Sequence, residues 1–238
     1  MSRLRAQDGM TLMEVLIAAT IGFVVIAGTL GLLESTMRLS GSVMAKTDAM
    51  QRGRLAMDRV TQQLRSQVCL DLTVPAIDTG ATADSVTFYS DFSGDGPAKG
   101  PTKNTLSFDA ATGDIIDSII KPVGAYPGPY TYDSTPVKSV VFENAARQTT
   151  VVSGTPTTVP FLSYYAYETT GTPPVLRTTQ VLNPPLTAAQ AARVARIDIA
   201  FAARPTGAKD GKNATDIEDQ ITVRHADPNL TVPDPMCV

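Results

Sequence analysis

Residues 15–33 read VLIAATIGFVVIAGTLGLL, 19 positions without a charged side chain. As a helix rising ~1.5 Å per residue, such a run covers about 28 Å, close to the hydrocarbon thickness of a bilayer. Beyond it the pattern changes. Glu34, Arg38, Lys46, Gln51, Arg52, Arg54, Arg59, Gln62, Gln63 and Arg65 are interleaved with apolar residues at Leu39, Val43, Met50, Met57, Val60, Leu64 and Val68. Spacings of three, four and seven belong to one face of a helix. No proline interrupts the span. The pattern predicts a single helix over about residues 11–67, roughly 85 Å long, apolar all round in its first half and amphipathic in its second. Taken alone, it describes a single-pass anchor with a helical stalk.

Downstream the period shifts toward two. Alternating or β-branched runs occupy 85–89, 105–108, 115–120, 137–142, 161–167, 175–181, 196–201 and 220–224, each bounded by Gly, Pro, Asn or Asp. Residues 111–114 (ATGD) suit a tight turn between two of them, and 187–193 (TAAQAAR) suit a short helix or turn. An antiparallel sheet with one apolar face needs cover, and the stripe over 50–68 is the candidate lid. The expected fold is therefore α+β: a long amino-terminal helix packed on an antiparallel β-rich head. The chain divides into residues 1–9, an apolar helix half over 10–34, an amphipathic half over 35–68 and a head over 69–238.

Composition narrows the function classes. The chain has 238 residues, 43% of them hydrophobic and 18% charged, with a net charge of −3. That supports one good-sized core and excludes disorder, while 17 Gly and 17 Pro imply many turns. A pI near 5.2 without a basic run argues against nucleic acid as a partner. The single histidine, His225, and two cysteines cannot build a histidine-based triad or a zinc cluster. There is no phosphate loop, nucleophile elbow or HExxH, so an enzyme is not expected.

Three local patterns remain. Asp91, Ser93, Asp95 and Gly96 occupy the first, third, fifth and sixth places of a calcium loop, but Thr102 stands where the bidentate glutamate belongs. An Asx-type turn explains them, with a weak calcium site as the alternative. Cys69 falls where the helix should end and Cys237 lies beside the carboxyl terminus. A bond between them would close a loop of about 170 residues, worth ~5 kcal/mol in the chain-entropy model, and would require an oxidising, extracytoplasmic setting. Two unlinked buried thiols are the other reading. The region 126–132, rich in Gly, Pro and Tyr, reads as a turn with half-buried tyrosines or as an aromatic contact surface.

Glu14 lies one residue before the apolar run, where an unpaired carboxylate at membrane depth would cost a few kcal/mol. It is either solvated at the headgroup level or paired across helices with a free amine on Met10, made by a cut after Gly9. The segment from Gly9 to Ile17, GMTLMEVLI, follows a short leader with Arg3 and Arg5 and precedes the apolar helix. It resembles the prepilin signal of type IV pilins and type II secretion pseudopilins: glycine before the cut, an acid fifth after it, an uncharged helix beyond. Met10 stands where that family usually has phenylalanine. Residues 54–65 also resemble the end of the long helix in larger minor subunits of the J/W type. The resemblance covers about the first 70 residues.

It implies cleavage between Gly9 and Met10 by a prepilin peptidase/methyltransferase on the cytoplasmic side, methylation of the Met10 amine, and subunit registration by Glu14. The implied partners are other pilins or pseudopilins, an inner-membrane assembly platform and the membrane. The implied place is a bacterial cell membrane, crossed once, with the head extracytoplasmic. Ala18 with Gly22, and Ala27 with Gly31, are four apart and would let neighbouring backbones approach in lipid. Two functions follow: a minor pilin or pseudopilin built into a filament, or a membrane-tethered binding module that is not.

Overall fold

The computed structural model describes residues 11–69, 75–90, 100–123, 131–167, 180–207 and 214–223. Its first element is one helix, α1 (Leu12–Arg65), close to the expected span. The chain divides into two units between Ala45 and Lys46.

In the amino-terminal unit α1 is apolar and exposed, with Leu12, Phe23 and Leu32 among its accessible side chains. The threonines within its uncharged run turn inward on the helix. Thr20 Oγ1 donates to the carbonyls of Leu16 at 3.1 Å and Ile17 at 2.8 Å, and Thr29 Oγ1 donates to that of Ile26 at 2.8 Å. Neither hydroxyl then needs water, which suits a helix surrounded by lipid. The run ends at Glu34, which forms an i,i+4 ion pair with Arg38.

The second unit holds the sheets. Its strands are β1 (Ser85–Ser90), β2 (Thr102–Asp109), β3 (Asp114–Ile120), β4 (Pro122–Val123), β5 (Thr131–Tyr132), β6 (Val137–Phe142), β7 (Ala145–Ala146), β8 (Thr149–Val152), β9 (Thr155–Thr158), β10 (Leu162–Ala166), β11 (Gln180–Leu182), β12 (Arg196–Ala203) and β13 (Thr215–Thr222). A short helix, α2 (Ala188–Ala191), precedes β12 and is closed by a Thr187/Gln190 capping box. One antiparallel sheet runs β1-β2-β3-β6 and the other β11-β10-β12-β13, with β7 also on β12. Two ribbons, β4-β5 and β8-β9, stand apart from them. The α+β arrangement expected from the sequence is the one observed.

Apolar alternation aims Val86, Phe88, Leu106 and Ile115 from the first sheet, and Leu162, Tyr164, Ile197, Ile199 and Ile221 from the second, into one core. A chain of rings, Phe108 to Phe161 at 5.6 Å, Phe161 to Phe201 at 6.4 Å and Phe201 to Phe142 at 5.5 Å, joins the two sheets. The carboxyl-terminal part of α1 adds Ala49, Ala56, Met57, Val60 and Leu64 to the same core.

The lid lies where the stripe over 50–68 predicts, with Met57, Val60 and Leu64 buried, and differs at its ends. Leu39 and Val43 are 64% and 56% exposed, Met50 and Val68 are only half-buried, and burial begins at Ala49. The packing face reads Ala49, Gly53, Ala56, Met57, Val60, Leu64 because the sheet approaches the helix closely. A Cβ on Gly53 would lie 2.2 Å from Ile217 Cδ1 and 3.0 Å from Ala203 Cβ. Met57, Val60 and Leu64 belong to the expected stripe; the small residues Ala49, Gly53 and Ala56 complete the face.

Strand bounds also move. β2 begins at Thr102 because Thr102 and Asn104 are buried despite their polarity. β13 begins at Thr215, with Ile217 and Ile221 buried between outward-facing acids. The β8-β9 ribbon, exposed at every strand position, was not anticipated. Of the run expected over 175–181, only its end is described, as part of β11. The β2–β3 turn forms as expected: Gly113 has φ +78°, and a Cβ there would meet the Ala145 carbonyl oxygen at 2.7 Å.

Candidate functional site

Two features are candidates for function: the exposed amino-terminal stretch of α1, and the polar groups that fasten its other end to the head.

α1 begins at Leu12 with Thr11 before it. The Glu14 amide donates to the Thr11 carbonyl at 3.0 Å and to Thr11 Oγ1 at 3.4 Å. Thr11 therefore caps the helix, and Glu14 occupies the third helical position, where an acid favours the positive end of the helix dipole. The Thr-x-x-Glu spacing is the signature of a capping box, a local role for Glu14 that the sequence reading overlooked. Glu14 is exposed. Gly9 and Met10 lie outside the described residues. Gly22, Gly28 and Gly31 have nothing within 4 Å of where a Cβ would stand, so this stretch is open to close approach by another helix. It is also the one described helix long and apolar enough to cross a membrane.

At the far end Gln63 and Asp117 meet in the interior. Gln63 Nε2 donates to Asp117 Oδ2 at 2.7 Å. Arg59 Nη2 lies 3.7 Å from the same oxygen and donates to Ser139 Oγ at 3.3 Å. Asp117 is paired across the ladder with Leu106 on one side and Ser139 on the other, so it faces the helix from the middle of its sheet. Its side chain is 1% exposed, and Oδ1 has no hydrogen-bond partner. Burial pushes the carboxyl above the usual carboxylate range, against the opposing pull of the Gln63 hydrogen bond and the Arg59 charge.

A second tie joins Thr61 Oγ1 to Asp219 Oδ2 of β13 at 2.8 Å. Helix residues two apart thus reach both sheets. Sequence reasoning missed these partners, although a signal existed. In the strand segment IIDSII the only inward polar residue is Asp117, two positions from Ile115, and such a residue needs a partner.

Past the helix, Gln67 bridges to Ser90 of β1, where Thr102 Oγ1 donates to the Ser90 carbonyl at 3.0 Å and Asn104 Nδ2 donates to Ser90 Oγ. This seam continues the buried polar strip. Elsewhere Tyr164 is fully buried with its hydroxyl donating to the Thr82 carbonyl at 2.8 Å, and burial, followed by the charge of Asp84, raises its pKa. Arg196 stacks 4.0 Å over the Tyr165 ring. Both tyrosines act as strand residues, as the sequence suggested.

Cys69 is half-buried just beyond α1, and Cys237 lies outside the described residues. So do Asp91, Ser93 and Asp95, and most of the Tyr-rich region; Tyr132 packs against Tyr89 at 5.8 Å. Among the described residues no group of three or more His, Cys, Asp or Glu side chains is placed to hold a metal ion.

Comparison with known proteins found no matching family model, no matching curated protein and no matching solved structure.

Proposed function

We infer that the chain is a structural subunit of a filament, a minor pilin or pseudopilin of the type IV pilus or type II secretion kind. The observation that carries the reading is the uncharged stretch of α1. Its apolar side chains are exposed, its threonines are satisfied within the helix, and its glycines are open, as lateral packing in lipid and then in a polymer requires. The prepilin-like segment around Gly9, Met10 and Glu14 gives this helix its entry into assembly.

In this account the chain crosses the inner membrane once, with Arg3 and Arg5 on the cytoplasmic side and the head outside. A prepilin peptidase/methyltransferase removes residues 1–9 and methylates Met10. Glu14 then pairs with the amine of a neighbouring subunit on the assembly platform. Cys69 and Cys237, the only cysteines in the chain, form a bond that ties the tail to the end of α1.

The Thr11 cap favours a second reading, in which Glu14 only supports the local helix start and the helix anchors a binding head that joins no filament. Glutamine serves as well as glutamate in a capping box but carries no charge. Glu14→Gln therefore separates the two. In the filament reading Glu14→Gln and Glu14→Ala both keep the protein out of sheared or periplasmic filaments. If Glu14→Gln is incorporated like the wild type, the charge has no role in assembly and the tether reading replaces it.

A further inference from the structure

A groove of about 330 Å3 opens on the head where the β2–β3 turn meets the base of the β8-β9 ribbon. Arg147, Arg204, Thr112, Thr149 and Thr158 supply its polar groups, and no aspartate or glutamate is among the described residues that line it. The fold holds these pieces in place. The Ala145 amide donates to the Gly113 carbonyl at 2.7 Å, which pins the turn to β7. The Asn144 carbonyl accepts from the Arg204 amide at 3.2 Å, and Asn144 Nδ2 donates to the Pro205 carbonyl at 2.8 Å, so the backbone carrying Arg204 is fixed on both sides. Thr149 and Thr158 are register partners in the ribbon. Beside Thr149, the buried Gln148 donates to the carbonyls of Phe201 at 3.3 Å and Ile217 at 3.2 Å and fastens the ribbon's base.

The two arginines differ. Arg147 is paired with Asp84 and lies 5.9 Å over the Phe108 ring, so the fold already uses it, although a guanidinium has five donors to share. Arg204 Nε is buried with no hydrogen-bond partner. A buried donor on a charged group is costly to leave unmatched, and an acceptor brought by a ligand removes that cost. Thr112 Oγ1 accepts from the Asp114 amide at 3.3 Å, which leaves its own proton to donate.

We propose that this groove binds a terminal phosphate group, held by Arg204 and Arg147 with the threonine hydroxyls around it. Two guanidinium groups suit a tetrahedral anion with several oxygens, whereas a planar carboxylate is matched by a single arginine fork. The volume lies at the small end of the range for ligand sites, which fits free phosphate or a compact phosphate ester. Such binding is a property of the head, separate from entry into a filament through α1.

The test titrates the full-length protein, in a phosphate-free detergent and at constant ionic strength, with inorganic phosphate, glycerol phosphate and acetate by calorimetry. Both phosphates should bind saturably, and acetate about tenfold more weakly or less. Arg204→Gln should weaken phosphate binding by about tenfold or more, the worth of a hydrogen bond to a charged group, and should leave the Tm of the unliganded protein unchanged. Arg54→Gln, exposed on α1, should bind like the wild type. Arg147→Gln also strands Asp84, so Thr149→Val with Thr158→Val, at exposed strand positions, serves as the second variant and should weaken binding several-fold.

Tighter binding of glycerol phosphate would identify an ester as the ligand, and equal or tighter binding of inorganic phosphate would identify the free anion; the site stands in both cases. Absence of saturable binding, acetate binding as well as phosphate, or Arg204→Gln and the threonine variant both binding like the wild type would overturn it.

Discussion

Gln63 Nε2 donates to Asp117 Oδ2 at 2.7 Å, and nothing reaches Oδ1 of that buried carboxylate. One side chain of α1 therefore holds half of a charge that the sheet alone would leave stranded. Removing the amide while keeping the acid exposes that cost. Gln63→Leu should destabilise the head by about 2–4 kcal/mol, and Gln63→Leu combined with Asp117→Leu should recover a large part of it. Denaturant unfolding of the full chain in detergent measures both, and a double variant no more stable than the single one would contradict the pairing.

The same carboxylate makes stability depend on pH. Its folded pKa is raised by burial, so the folded state binds the proton more tightly than the unfolded chain does. The stability from that proton is fully present below the ordinary unfolded carboxylate value and is lost as pH rises through the raised folded value. Asp198, also raised by burial, acts in the same direction. On account of these two groups the head should gain stability as pH falls from neutral toward the ordinary carboxylate range. Asp117→Asn should flatten part of that slope, read as Tm against pH. An unchanged slope would show that Asp117 does not titrate differently in the fold.

Gly53 tests the close approach of helix and sheet. An alanine there gains about 1 kcal/mol in helix propensity, yet its Cβ would meet Ile217 Cδ1 at 2.2 Å. Overpacking of this kind typically costs ~1–3 kcal/mol. Gly53→Ala should be net destabilising, and Ile217→Val, which removes the clashing methyl, should restore stability in the double variant beyond additivity. Additive effects would mean that the two residues do not touch.

Leu64 and Leu39 look alike in the sequence but differ in the fold. Leu64 is 1% exposed and Leu39 is largely exposed. Leu64→Ala should lower head stability by about 2–5 kcal/mol, whereas Leu39→Ala should change it by less than ~0.5 kcal/mol. Equal effects in chemical unfolding would contradict a lid whose burial begins at Ala49.

How far such contrasts are legible in a sequence depends on the residue. The apolar run of α1 and its near-correct ends at 12 and 65 come from a pattern that lipid and helix geometry both require. The strands over 85–90, 114–120 and 137–142 appear because branched residues alternate between turn signals. The lid's large residues Met57, Val60 and Leu64 were legible, but Ala49, Gly53 and Ala56 have little hydropathy of their own; their smallness matters only once Ile217 and Ala203 are set against Gly53. The Gln63–Asp117 pair was half legible. The strand shows an inward acid, but a partner 54 positions away is fixed only by the packing of α1 on the sheet. The β8-β9 ribbon carries threonines with no buried face, so no period marks it.

Insertion of α1 is open to a direct check. An arginine at a helix centre in the bilayer costs about 2.5–3.5 kcal/mol on insertion scales. Val25→Arg, near the middle of the uncharged run, should shift the protein from the membrane pellet toward the alkaline-extractable fraction. Leu55→Arg, on the exposed side of the head segment, should leave it in the pellet. The same distribution for both would argue against a membrane role for residues 15–33.

Intact-mass measurement of the protein extracted from its native membranes tests the filament account most directly. That account predicts a chain beginning at Met10, heavier by one methyl group at its amine and, without reductant, lighter by two hydrogens for a Cys69–Cys237 bond. A mature protein that still carries Met1 to Gly9 would contradict it.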